Sequence, residues 1–146
     1  MNNLETLNTL IIEWANERNL IVKNNSTKQK LKLIEECGKL AQAILKNDVK
    51  AQKDAIGDIY VVVVILSEQL GKKMGDGKCN FLTIEKEITD LMNAIIYMNT
   101  LEYFLTDITN ICNNLDLDLT ECVNLAYNEI KDRKGKTING TFIKES

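Results

Sequence analysis

Two pairs of carboxylates occur in a stretch of the chain that is otherwise apolar and helical in pattern. Glu35 and Glu36 are adjacent, and Asp54 and Asp58 come just before the apolar run IYVVVVIL. Carboxylates beside such segments are costly to bury unless a counter-charge compensates them. Mg²⁺ prefers carboxylate oxygens and keeps several waters that phosphate oxygens can replace. The pattern therefore predicts a magnesium site and attack of a metal-activated water on a phosphorus atom.

Either acidic pair, taken alone, is more typical of a solvated helix face than of a binding site. Together they favour a site, because both border apolar stripes on consecutive helices that we expect to pack antiparallel. At about 100° per residue, Glu36 shares one flank of its stripe with Lys32 and Lys39, and Glu35 lies just beyond. The two aspartates of the second pair are four residues apart and project from one side of the next helix.

Further candidate residues lie near the end of the last predicted helix, which reads NEIKDRKGK from Asn128. Asn128 and Lys131 share a helix face, where an amide and an ammonium group can meet a phosphate or a base edge. Cations in a last turn also complement the helix dipole, so both interpretations stay open. Trp14 beside Arg18 likewise fits either a stacking surface for a nucleobase or a core residue, and the core role is favoured.

The composition limits the classes of protein that the chain can represent. With 146 residues, 45% of them apolar and 27% charged, we expect one globular domain over residues 1–146. A net charge of −3 gives no electrostatic footprint for nucleic acid or an anionic membrane. The absence of histidine removes the commonest general base and most zinc sites, so we expect any metal to be bound by oxygen.

The cysteine pattern and the hydropathy bear on location. The four cysteines form no CxxC pair, and the sequence begins with no signal peptide. No segment reaches the roughly 18 consecutive apolar residues of a membrane span. We therefore expect reduced thiols, no membrane partner and a cytoplasmic location.

Hydrophobic periodicity predicts an all-α fold, a bundle of about five helices with a small C-terminal β-hairpin. The expected helices cover 3–18, from the polar turn at 24–27 to about 46, 49–70, 83 to about 114 with a break near 99–100, and 119–134. Residues 59–66 also suit a buried strand, but the polar residues that follow favour a long central helix. Gly57 permits close approach of a neighbouring helix, Gly135 is expected to end the last helix, and Asn139-Gly140 predicts the hairpin.

Three stretches together resemble one protein family. They read ERNLIVKNNSTKQKLKLIEECGKLAQAI, KDAIGDIYVVVVIL and CVNLAYNEIKDRKGKTINGTFIKE. They are similar to the MazG-like nucleoside triphosphate pyrophosphohydrolases of the all-α NTP pyrophosphatase group, most of all to the short variety often encoded by phages and their hosts. The resemblance covers most of the chain and is weakest over residues 71–114. It implies a homodimer or homotetramer that hydrolyses an NTP or dNTP to the monophosphate and pyrophosphate with Mg²⁺, or alternatively Mn²⁺.

The family pattern EExxE followed by ExxD is only partly present. Its third glutamate is Lys39 here, and the glutamate of ExxD falls on Ala55, with Asp54 next to it as a substitute. An ammonium group cannot ligate Mg²⁺, so Lys39 is expected to pair with Glu35 or to reach a substrate phosphate.

The residues and the resemblance give one set of expected roles and two alternatives. Expected metal ligands are Glu35, Glu36, Asp54 and Asp58, of which the last three are also expected to be catalytic. Expected substrate-binding residues are Lys39, Asn128, Lys131 and Lys134. The alternatives are a nucleotide-binding relative whose catalysis has decayed at Lys39 and Ala55, and a helical interaction subunit without a small-molecule site. No nucleic acid partner is expected.

Overall fold

The computed structural model describes residues 1–21, 26–74, 104–138 and 141–145. These ranges contain helices α1 (Leu4–Glu17), α2 (Ser26–Leu45), α3 (Val49–Leu70), α4 (Phe104–Leu115) and α5 (Leu119–Ile130), and strands β1 (Gly135–Ile138) and β2 (Thr141–Lys144). The predicted all-α bundle with a small C-terminal hairpin is confirmed. The helix expected over 83–114 falls largely outside the described residues, and α4 is its described part.

Helix α3 lies at the centre of the described bundle. Every residue from Ile59 to Ser67 is buried, and α1, α2 and α5 all pack against this helix. A helix buried on all sides is stabilised by packing more than by propensity, which explains why a β-branched run is helical here. Asp48 caps its start by accepting from the Ala51 amide, and Gly71 ends it in the left-handed conformation. None of the described helices combines the length and apolar character needed to cross a bilayer.

The neighbours of α3 run in opposite directions along it. Helix α2 is antiparallel to α3, since Gln52 donates to the Ala43 carbonyl near the turn between them. Helix α5 runs parallel to α3, and its start is joined to α3 by an ion pair of 3.0 Å between Lys53 Nζ and Glu121 Oε1. The expected antiparallel packing of the two acidic helices is therefore observed.

Close contact between α3 and α5 depends on Gly57. A Cβ atom at this position would lie 2.3 Å from the Cys122 carbonyl oxygen and 2.8 Å from the Ala126 Cβ. The close approach predicted at Gly57 is therefore confirmed. It fixes which turns of the two helices face each other.

The last helix is shorter than predicted, because side chains at the end of α1 donate to backbone carbonyls that would otherwise accept from helical amides. Trp14 Nε1 donates to the Ile130 carbonyl at 2.9 Å, and the Arg18 guanidinium donates to the Arg133 carbonyl at 2.6 Å. Helix α5 therefore ends at Ile130, where those carbonyls no longer need helical donors. The prediction that Gly135 ends the helix is wrong, since it opens β1.

The predicted C-terminal hairpin is confirmed. Strands β1 and β2 are antiparallel, with Gly135 opposite Lys144 and Ile138 opposite Thr141. Residues 139–140 between them lie outside the described residues. A Cβ at Gly135 would lie 2.1 Å from the Ile143 carbonyl oxygen, so the pairing requires glycine there.

We predict that Gly57→Ala destabilises the protein by about 1–3 kcal/mol, because the added methyl group meets backbone across a packed interface. Gly38→Ala is the matched control, since Gly38 is an exposed glycine in α2 with no atom within 4 Å of an added Cβ. Helix propensity alone should make that variant more stable by up to about 1 kcal/mol. Urea denaturation measures both changes, and equal stabilities would contradict the α3–α5 contact.

Candidate functional site

Glu36 is the most buried carboxylate of the predicted site. Its α2 position faces α3, and only 3% of the residue is exposed. Its Oε1 atom lies 3.4 Å from Lys32 Nζ and 3.3 Å from Lys39 Nζ. Its Oε2 atom is buried and has no hydrogen-bond partner. Leaving a buried acceptor unpaired is costly, so this oxygen is a natural position for a donor or a cation.

Glu35 lies at the rim of the site. Its side chain is half exposed and pairs with the same two lysines, at 2.5 Å from Lys32 Nζ and 3.8 Å from Lys39 Nζ. The hydrogen bond from Lys32 holds the pKa of the Glu35 carboxyl below its ordinary value. The ion pair expected between Lys39 and Glu35 is present, although the contact of Lys39 with Glu36 is shorter.

Asp58 of α3 is half-buried and lies close enough to Glu36 for the two charges to interact. Burial, followed by the charges of Glu36 and Glu129, raises the pKa of its carboxyl to about 7, against the opposing effect of Lys39. Crowded carboxylates of this kind resist ionisation unless positive charge is brought among them. The structure therefore brings Glu36 and Asp58 into one electrostatic group, as predicted from the sequence.

Glu129 of α5 is a member of this group that the sequence analysis missed. Its charge acts on Asp58, and its Oε1 atom accepts from Arg133 Nη2 at 3.0 Å. Gly57 marked a close helix approach in the sequence, but the register that brings Ala126 to it, and with it Glu129 one turn later near Asp58, is given only by the structure.

Asp54 lies one turn before Asp58 on the same side of α3 and is exposed. Its negative charge also contributes to the raised pKa of Asp58, as the last of the causes. Ala55, at the position where the family pattern has glutamate, is buried. Asp54 is thus near Asp58 but on the solvent side of it.

Two cavities meet at Lys39, Asp58 and Glu129. The first, which we call the polar cavity, has a volume of about 420 Å³ and extends past Asp54 to Lys46. The second, which we call the amphipathic cavity, has a volume of about 630 Å³. It has apolar walls from α1, α2 and α3, and its charged lining residues include Lys28, Lys32, Glu35, Glu36, Arg133 and Lys144. Both volumes lie within the range of about 300–1,000 Å³ of small-molecule sites.

Of the four residues predicted to bind substrate, three do not line these cavities. Asn128, Lys131 and Lys134 are exposed and line neither the polar nor the amphipathic cavity. Lys39 lines both cavities. The substrate-binding role of the first three residues stays a prediction.

Trp14 is a core residue that also lines the amphipathic cavity. Its ring is 7% exposed, and Arg18 lies over it with the guanidinium carbon 4.5 Å from the ring centroid. Phe142 approaches it edge-on, at 5.3 Å between centroids. The core interpretation of Trp14 is confirmed, and Arg18 occupies the ring face that stacking on a base would need.

The donor set suits a hard divalent cation, although it is not closed around one. Within the four described ranges, no group of three or more carboxylate or thiol side chains is arranged as a ready metal site. The unpaired Oε2 of Glu36 and the repulsion acting on Asp58 nevertheless fit a bound cation. These oxygen ligands match Mg²⁺ in chemistry.

Comparison with known proteins gives little information on identity. The chain is 44% identical over 69 residues to an uncharacterised 18.2 kDa protein encoded between the rep and hol genes of Haemophilus phage HP1. That match covers 47% of this chain and 42% of the phage protein, so the chain spans less than half of its relative. No protein-family model matches the chain, and no solved structure matches it.

Proposed function

We propose that the protein is a Mg²⁺-dependent nucleoside triphosphate pyrophosphohydrolase that releases pyrophosphate from an NTP or dNTP and clears nucleotides from the cytoplasmic pool. One observation carries the proposal: the buried carboxylate of Glu36, which has one unpaired oxygen, lines the amphipathic cavity together with Asp58. The resemblance to the MazG-like family supports the same function, because Glu35, Glu36 and Asp58 match its acidic pattern.

In this proposal the carboxylates bind the metal ion, and the lysine side chains together with Asn128 bind the phosphates. Glu36 and Asp58 are the inner ligands, with Glu35 and Asp54 at the solvent side. A bound Mg²⁺ supplies charge neutralisation at phosphate oxygens and a more acidic water. Asp54 would be a further ligand, or would act as the base that orients the attacking water. Lys39 would reach the phosphates. The resemblance assigns the same role to Asn128 and Lys131, and Lys134 is a further candidate beside them.

We also propose a homo-oligomer, either a dimer or a tetramer. Leu31, Ile34 and Leu45 are large apolar side chains on α2 that are 56%, 42% and 85% exposed. Exposed apolar side chains that recur along one helix are typical of contact surfaces. They support self-association through α2.

The direct test is pyrophosphate release from the common NTPs and dNTPs with Mg²⁺ or Mn²⁺. We expect Asp58→Asn to lower the rate about a hundredfold or more, since it removes a charged ligand worth several kcal/mol of transition-state stabilisation. Glu68→Gln is the control, because Glu68 is an exposed carboxylate of the same helix outside the site. Wild-type protein inert towards every substrate would contradict the proposed enzyme.

The same substitution should stabilise the protein when no divalent cation is present. The folded-state pKa of Asp58 is about 7 against an ordinary 3.8, so folding favours the protonated form. Its contribution is fully present below about pH 4, decreases as the pH rises, and is lost above about pH 7. We expect Asp58→Asn to be about 1–3 kcal/mol more stable than wild type at pH 8 and nearly equal to it at pH 4. Denaturation in a chelator measures this, and a pH-independent difference would contradict it.

A second candidate function is nucleotide binding with weak or no turnover. The observation that favours it is the pair of ammonium groups on Glu36 Oε1, since Lys32 and Lys39 already neutralise part of the charge that a metal would neutralise. In that case nucleotide raises the melting temperature without pyrophosphate release. A helical interaction subunit, the blandest alternative, responds to neither nucleotide nor Mg²⁺.

Lys39→Glu separates these candidates. If the scaffold is catalytic, we expect the variant to be at least about fivefold faster, because it removes a cation that competes with the metal and adds a ligand. Lys50→Glu makes the same charge change on an exposed residue that lines neither cavity, and it should leave the rate unchanged. Turnover absent in both variants and in wild type, with a nucleotide-dependent melting shift, would favour the binding protein.

A further inference from the structure

The C-terminal hairpin presents one face to the amphipathic cavity. Phe142 and Lys144 are two residues apart on β2, so they lie on the same face of the strand, and both line the cavity. Lys136 of β1 pairs with Ile143, which lies between Phe142 and Lys144 on β2. Lys136 is therefore on the other face of the hairpin, where it is exposed. The hairpin thus carries one lysine at the cavity and one away from it.

This face is held in a defined position. Phe142 packs on Trp14, Thr137 Oγ1 donates to the Arg18 carbonyl, and the Glu145 amide donates to the Lys134 carbonyl at 2.7 Å. These contacts join the hairpin to the end of α1 and to the segment after α5. Lys144 is therefore carried on an anchored strand.

Some of the cationic side chains that line the cavity have an ion-pair partner, and others do not. Lys32 pairs with Glu35 and Glu36, and Arg133 pairs with Glu129. In the part of the chain that the structure describes, Lys144 is at the cavity lining without an ion-pair partner. Its ammonium group thus adds uncompensated positive charge at that wall.

Another part of the cavity lining is apolar. Val61, Val62 and Ile65 of α3 line it and are buried. A cavity with an apolar wall and a cationic rim suits a ligand with a flat apolar part and an anionic part. Glu36 and Asp58 also line this cavity, so a cation held by their carboxylates would be available to that anionic part.

We infer that the C-terminal hairpin is a wall of the nucleotide site and that Lys144 binds a phosphate of a nucleotide whose base lies against α3. The choice of a nucleotide as ligand rests on the proposed function, whereas the position of the site rests on the cavity and its charges. Lys144 is a substrate-binding residue that the sequence motifs did not single out. Its ammonium group acts as a point charge on the phosphate.

The test measures binding without turnover. Common nucleoside and deoxynucleoside monophosphates are titrated in a chelator into wild type, Lys144→Glu and Lys136→Glu by calorimetry. A monophosphate carries a single phosphate group and is the expected product, so the protein cannot release pyrophosphate from it. We expect Lys144→Glu to weaken binding about tenfold, while the matched variant Lys136→Glu stays within about twofold of wild type. Raising the salt concentration should shrink the tenfold difference, because a partly exposed charge is screened.

Three results would overturn the inference: no monophosphate binds wild type, Lys144→Glu binds as wild type does, or both variants weaken binding equally. Lys144→Gln, which removes the charge and keeps a polar side chain one atom shorter, should show an intermediate loss, and circular dichroism establishes that each variant is folded. Failure of the proposed enzyme is a separate result, since wild type would then release no pyrophosphate from any triphosphate while the two hairpin variants still differ in monophosphate binding.

Discussion

The buried carboxylate of Glu36 is the constraint on which the arrangement of the site depends. An ionised carboxylate between two packed helices must be compensated, and the nearby side chains compensate only one of its two oxygens. Lys32 and Lys39 reach one oxygen from the solvent side of α2. The other oxygen faces inward without a partner. Asp58 of α3 cannot relieve this charge, and burial, followed by the charges of Glu36 and Glu129, raises its own pKa.

The contact at Gly57 determines what else surrounds that charge. Because α5 approaches α3 closely enough that no Cβ fits at Gly57, the exposed Glu129 lies near enough to Asp58 for its charge to act on it. The same approach places Ile130 where its carbonyl accepts from Trp14, and Arg133 where its carbonyl accepts from Arg18. Helix α5 then ends, and the chain is directed into the hairpin. One glycine contact thus links the acidic group to the wall of the amphipathic cavity.

The helices and strands were largely predictable from the sequence, whereas the contacts between elements far apart in the chain were not. Apolar periodicity and caps identify α3 to the residue, and Asn139-Gly140 identifies the hairpin. Glu36 and Asp58 follow because consecutive helices joined by a short turn pack antiparallel. Glu129 does not follow, since its position depends on the register between helices far apart in sequence. The end of α5 was misplaced for the same reason: donors from α1 decide it.

The two lysines on Glu36 connect the fold to the question of activity. Two ammonium groups near one carboxylate oxygen bring as much positive charge as one divalent cation, but they come from α2 itself and lie at the rim. They pair with Oε1 and leave Oε2 without a partner, while Lys39 offsets only part of what raises the pKa of Asp58. A cation entering there meets carboxylates that are already partly neutralised, so its binding is weaker than in a site made only of acids. The same lysines, once a cation has taken the carboxylates, are free to face an anionic ligand in the cavities they line. In the proposed enzyme, a lysine at position 39 would therefore weaken metal binding and strengthen the attraction of the phosphate.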